Sequence, residues 1–145
     1  MCTPLFTTFA LAKPPLPPNA HATWPSVGEA QISDDGRFAT YAIVEGARPS
    51  KLMVVSTDAR WKLELPAAAS SRFACERVND CGVLVFQKTD GGLGLVALGT
   101  QSVELLGSID AYKLSENSGR WLAYLLKGPE RELRIRDLST RRELR

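Results

Sequence analysis

The chain has 145 residues, 44% hydrophobic and 23% charged, which suits one compact domain and excludes wholesale disorder. Eighteen basic against sixteen acidic residues leave a formal charge of +2, too small a balance for nucleic-acid binding as the main task. No run of about 18 apolar residues offers a spanning helix, and the single histidine, His21, excludes His-rich metal clusters and most Ser-His-Asp schemes within this chain.

Residues 1–23 read as a segment apart. Pro14, Pro15, Pro17 and Pro18 block helix and ladder pairing and favour an extended polyproline linker. Ahead of them runs the short apolar stretch Pro4-Leu5-Phe6-Thr7-Thr8-Phe9-Ala10-Leu11-Ala12, whose Ala10-Leu11-Ala12 has the small-x-small form of a signal cleavage site. The basic region that should precede such a site is missing. An export-signal remnant and an ordinary flexible terminus both fit, so a periplasmic or extracellular location and a cytoplasmic one stay open. Cys2, directly after Met1, leaves no room for a lipoprotein-type apolar stretch. His21 falls in this irregular stretch and is expected to face solvent.

From Trp24 onward the chain repeats. The first unit reads Ile32-Ser33-Asp34-Asp35-Gly36-Arg37-Phe38-Ala39-Thr40-Tyr41, and the third Leu114-Ser115-Glu116-Asn117-Ser118-Gly119-Arg120-Trp121-Leu122-Ala123-Tyr124. Both carry Ser, an acidic or amide cluster, Gly, Arg, an aromatic, and Tyr five residues after the Gly. The second copy, Val78-Asn79-Asp80-Cys81-Gly82-Val83-Leu84-Val85-Phe86, is degenerate, its aromatic following Gly82 by four. Asp, Asn and Gly supply the side-chain-to-backbone bonds and positive φ of a tight turn. The β-branched, aromatic and alternating residues after it fit a half-buried strand.

Each copy leads into a second strand and a further turn. Lys51–Asp58 precedes Trp61–Leu65, Leu93–Thr100 precedes Val103–Leu106, and Glu132–Thr140 precedes Arg142–Leu144. Gly46-Ala47-Arg48-Pro49, Gly91-Gly92-Leu93-Gly94 and Lys127-Gly128-Pro129-Glu130 read as the matching hairpin turns. Tyr41, Phe86 and Tyr124 are spaced by 45 and 38 residues, and Thr57, Thr100 and Thr140 by 43 and 40. A period of about 40–50 residues with several short strands per unit is the signature of β-propeller blades. The predicted fold is therefore all-β: about three blades of an incomplete propeller over residues 24–145, in units of roughly 24–66, 67–107 and 108–145. A small β-sandwich competes, and the repeat grammar favours the propeller. Leu133-Arg134-Ile135-Arg136 is expected to point its apolar side chains inward and its arginines outward. Closed propellers typically take about 4–8 blades. A portion of a longer protein is expected, or a ring completed by self-association through open blade edges.

Residues 120–145 hold eight basic and four acidic groups. Arg131, Arg134, Arg136, Arg141, Arg142 and Arg145 alternate with Glu130, Glu132, Asp137 and Glu143, which reads as a solvated strand face plus a loop. Cys75 and Cys81, with no nearby His, do not make a zinc site. In an exported protein they could pair as a disulfide; otherwise Cys75 is a buried small hydrophobe and Cys81 a turn-edge thiol. Asp34 and Asp35 lack the further oxygen ligands of a calcium loop and read as turn formers. Gly91-Gly92-Leu93-Gly94 lacks the Lys-Ser/Thr of a phosphate loop. Trp61 and Trp121 are expected to pack between neighbouring blades, and Trp24 to pin the entering chain. No Gly-x-Ser-x-Gly elbow occurs. No catalytic, cofactor-binding or metal-binding residue is assigned, and no cofactor, nucleic acid or membrane span is expected.

Lys13-Pro14-Pro15-Leu16, Trp24 through the Ile32–Phe38 turn, Leu52–Asp58, Trp61–Pro66 and Trp121–Tyr124 form an ordered series. Over residues 13–145 it resembles the N-terminal propeller of exported bacterial prolyl-oligopeptidase-family serine peptidases. The resemblance implies a propeller above a C-terminal α/β-hydrolase domain, restricting access to peptides. That catalytic domain, the implied partner, is absent from this chain, so the chain alone is expected to be non-catalytic. A stand-alone propeller-type protein-binding module is the alternative.

Overall fold

The computed structural model describes residues 24–145, apart from 47, 78, 79 and 117, together with Pro15 and Pro17. The export-signal remnant, Cys2, His21 and most of the Pro-rich stretch lie outside the described residues, as do Ala47, Asn79 and Asn117 of the expected turns.

The first blade is an antiparallel sheet of β1 (Ser26–Ile32), β2 (Phe38–Glu45), β3 (Arg48–Ser56) and β4 (Lys62–Pro66), in that order. The Ser33–Arg37 turn joins β1 to β2. Gly36 donates to the Ser33 carbonyl at 2.8 Å and takes φ 70°, which only glycine adopts without strain. The second blade comprises β5 (Ala68–Arg77), β6 (Asp80–Lys88), β7 (Gly92–Ala97) and the start of β8 (Ser102–Leu114). The third comprises the rest of β8, β9 (Trp121–Leu126), β10 (Leu133–Asp137) and β11 (Glu143–Leu144). Strand β8 belongs to two blades: Ser102–Ser108 pair with β7, and Ile109–Leu114 pair with β9. All described regular elements are strands.

One main-chain bond recurs in each blade and sets the equivalence. Thr57 donates to the Arg37 carbonyl, Leu98 to Gly82 and Leu138 to Arg120, at 2.9, 2.9 and 2.8 Å. Strand register agrees: Phe38 opposes Ser56, Val83 opposes Ala97, and Trp121 opposes Asp137. Tyr41, Phe86 and Tyr124 are thus equivalent, as their spacing predicts. Gly82, however, stands where Arg37 and Arg120 stand, one residue off the glycine-to-glycine alignment. In the second unit the chain returns through a Cys75–Cys81 disulfide instead of an Asp-x-Gly turn.

Two apolar layers lie between the blades. Phe38, Leu52, Val54 and Leu65 of the first blade meet Leu84, Phe86, Val96 and Leu98 of the second, with Trp61 and Leu63 at the margin. Val85, Leu93 and Leu95 of the second meet Leu122, Tyr124 and Leu138 of the third. Strand β6 is buried on both faces, which accounts for the unbroken apolar run Val83–Phe86.

The third blade corrects the expected orientation of β10. Leu133 and Ile135 are 55% and 37% exposed, whereas Arg136 is buried. Their equivalents Leu52 and Val54, and Leu93 and Leu95, face the following blade and are buried. Leu133 and Ile135 face the same way, and no described blade follows. Arg136 points back at the second blade, where a carboxylate receives it.

Candidate functional site

Two turn carboxylates anchor the blades. Asp35 accepts from Ser33 Oγ at 2.6 Å, from the Arg37 N–H at 3.0 Å, and from Arg37 Nε at 2.7 Å. It also accepts the Cys81 N–H at 3.1 Å, across the boundary to the second blade. Burial alone would raise its pKa, but these donors outweigh burial and hold the carboxyl well below the usual range. Asp137 accepts from Arg120 Nε and Nη2 at 3.1 and 2.7 Å and from the Ser139 N–H at 3.0 Å. The Arg120 bonds, then those of Ser139 and Thr140, keep it ionised below the usual carboxylate range. Asp35 is thus a turn former, as expected. Near the outer edge of the third blade, Tyr124 donates to Glu143 at 2.6 Å, and Arg134 bridges Glu143 and Glu132 at 3.1 and 2.9 Å. Burial and then the Glu143 bond push the Tyr124 hydroxyl up.

A groove of about 470 Å³ lies between the second and third blades. Val83, Ser102 and Glu104 line it on one side; Arg120, Arg136 and Leu138 line it on the other. Its origin is a difference between repeats. At the preceding interface Phe38 and Trp61 pack with ring centroids 5.8 Å apart. The register places Val83 at the Phe38 position and Ser102 at the Trp61 position. Two rings are replaced by an isopropyl group and a hydroxymethyl group, and the lost volume is the groove.

The same interface exchanges an apolar contact for an ion pair. Glu104 stands where Leu63 does, and Arg136 where Val96 does. Arg136 Nη2 donates to Glu104 at 2.8 Å. The Arg136 side chain is only 9% exposed, and its Nε is buried with no hydrogen-bond partner. The Nε of Arg134 is likewise unpaired, though that side chain is held by two carboxylates.

Reading the C-terminal arginines as a solvated face holds for Arg131, Arg141, Arg142 and Arg145, which are exposed; it fails for Arg134, half-buried between Glu132 and Glu143, and for the buried Arg136. Its partner Glu104 lies 32 residues away, so no local alternation announces the pair. Trp61 packs between blades as expected. Trp121 does not: it lies 39% exposed on the uncovered face, with the Arg120 guanidinium 5.3 Å from its ring centroid. Trp24 is exposed. Cys75 and Cys81 are joined, and Cys81 is buried rather than at a turn edge. Among the described residues, no three His, Cys, Asp or Glu side chains are grouped to hold a metal ion.

No family model and no curated protein matches the sequence. Solved structures do. The acylaminoacyl peptidase of Pyrococcus horikoshii is similar over 88% of this chain and 25% of its own, with TM-score 0.57 and 10% identity. The β-propeller domain of the Trilobed protease from Pyrococcus furiosus, described as having an open velcro topology, is similar over 86% of this chain and 43% of its own. Its TM-score is also 0.57, at 12% identity. The chain therefore spans a quarter of one structure and under half of the other. Both are prolyl-oligopeptidase-family enzymes, the group the sequence resembles. The described residues form three consecutive blades of an incomplete β-propeller, the fold of that family's propeller domains.

Proposed function

We propose that this chain is the non-catalytic propeller portion of a prolyl-oligopeptidase-like serine peptidase. In that role the blades would stand over a separate α/β-hydrolase domain and limit access to peptides. The likeness of three successive blades to structures from two such peptidases carries the reading. The uncovered apolar face of the third blade supports it. Trp121, Leu133, Ile135 and Leu144 are exposed there, at positions whose equivalents Phe38, Leu52, Val54 and Leu63 are covered by the next blade. The Cys75–Cys81 bond supports an oxidising, periplasmic or extracellular location.

The test is the DNA on both sides of this reading frame. Further blade repeats followed by a Gly-x-Ser-x-Gly elbow, in frame or after one frameshift, are expected. An unrelated neighbouring gene overturns the reading and leaves the second one, a stand-alone binding module. The same uncovered face favours that alternative, since a partner or a second copy would also bury it. Light scattering on the purified chain tests it: a discrete oligomer is its expected result.

A further inference from the structure

The groove between the second and third blades breaks the repeat twice. It loses the two rings that fill the preceding interface, and it gains a buried arginine there. Neither change strengthens the packing. Losing apolar volume forfeits contacts, and a buried ion pair is often no more stabilising than the apolar pair it replaces. Departures of this kind from an otherwise consistent pattern mark functional sites. The cavity also has the volume of small-ligand sites, about 300–1,000 Å³.

We propose that the groove binds a ligand that joins an aromatic group to a carboxylate. The ring takes the space that Phe38 and Trp61 occupy one interface earlier, over Val83, Leu95 and Leu138. The carboxylate takes the side-on fork of Arg136, Nε and Nη2 together, once Glu104 swings away and uncovers an Nε that is closed to solvent in this structure. Arg136 is held for this: it is nine-tenths buried, it spends Nη2 on Glu104, and its Nε is unpartnered. A planar guanidinium presents two parallel donors to a carboxylate in this way. Glu104 is half-exposed on the outermost strand of its blade, so its side chain can leave for solvent when the ligand arrives. It acts as a resident competitor. Two other arginines line the groove: Arg120 is committed to Asp137 and holds the turn in place, and Arg141 lies exposed at the rim. Glu76 and Asp80 also line the groove, so a second carboxylate on the ligand is disfavoured. This inference is independent of any peptidase domain.

The probe is N-acetyltryptophan, with N-acetyltryptophanamide as the uncharged control, titrated into the intact chain and followed by methyl chemical shifts. Shifts are expected at Val83, Leu95 and Leu138, with the amide at least tenfold weaker. Arg136→Met should weaken binding at least tenfold, and Glu104→Gln should tighten it about threefold by removing the competing charge. Val83→Phe restores the residue of the preceding interface, should fold normally, and should abolish binding. Equal binding of acid and amide overturns the proposal. So does the absence of shifts at the groove methyls, or binding that survives Val83→Phe. Opposite signs for the two charge variants separate a ligand contact from a structural role. A change of the same sign in both overturns the proposal.

Discussion

The carboxylate of Asp35, in the first blade's turn, accepts the backbone N–H of Cys81 in the second blade at 3.1 Å. The turn and the neighbouring disulfide hairpin thereby become one unit. The bond joins residues 46 apart in sequence, and the acceptor side chain is 3% exposed.

This contact gives the fold an acid-sensitive seam. The folded pKa of Asp35 lies below its unfolded value, which is about 3.9. Its stabilisation is therefore complete above roughly pH 5 and is lost as the pH falls through 4 and below. Asp35→Asn should melt lower than wild type at pH 7, by the equivalent of about 1.5–3 kcal/mol for a charged hydrogen-bond acceptor. The gap should narrow on titration toward pH 3. A gap that stays constant with pH would show that the carboxylate charge is not what matters.

Two turn glycines should differ in tolerance. Gly36 has φ 70° with no atom near the position of a Cβ, so only backbone strain opposes substitution there. Gly36→Val should cost about 1–2 kcal/mol or somewhat more, because left-handed backbone is unfavourable for β-branched residues. Gly119 has φ 54°, and a Cβ there would lie 2.5 Å from the Cys75 backbone nitrogen. Gly119→Ala should therefore destabilise more than Gly36→Ala, as thermal melts of the two variants would show. Equal melting shifts would refute the close approach of the third blade's turn to β5.

How much of this was readable in advance differs by kind of interaction. The turn-strand units were legible because their determinants are local: Ser33, Asp35 and Gly36 bond within five residues of one another. The groove was not, because it is made by side chains that are small. Val83 and Ser102 are unremarked in a strand, and they acquire meaning only when the register aligns them with Phe38 and Trp61. Arg136 was misread for a related reason. Alternation along β10 tells which residues share a face, but not which face is covered, and here the neighbour lies on the charged side. The glycine misalignment at Gly82 arose because a disulfide hairpin does the work that an Asp-x-Gly turn does elsewhere.

Reduction should reveal the contribution of the disulfide. Cys75 and Cys81 close a loop of six-residue separation, and chain-entropy reasoning assigns such a loop about 2 kcal/mol. Melting with and without dithiothreitol should differ by roughly 6–10 °C for a domain of this size. The Cys81→Ser variant should melt like the reduced wild type. No change on reduction would mean that β5 and β6 hold the hairpin unaided.

Equivalent aromatic positions should respond unequally. Phe38 is buried against the second blade, and Phe38→Ala should cost about 3–5 kcal/mol. Trp121 holds the same register position in the third blade but faces outward, so Trp121→Ala should cost under about 1 kcal/mol in this chain alone. Urea denaturation of both variants decides the matter. Comparable losses would show that the Trp121 face is covered in solution.

Strand β8 runs without a break through two blades, so the second and third blades share one continuous ladder of seven strands, whereas β4 and β5 belong to different sheets. Under tension applied to the two ends of residues 24–145, load passes from the second blade to the third along a single extended backbone. Between the first and second blades it must cross Ala67, tied by single main-chain bonds to Ser50 and Thr89. The molecule is therefore expected to yield as one blade peeling from a pair, with the rupture line at Ala67.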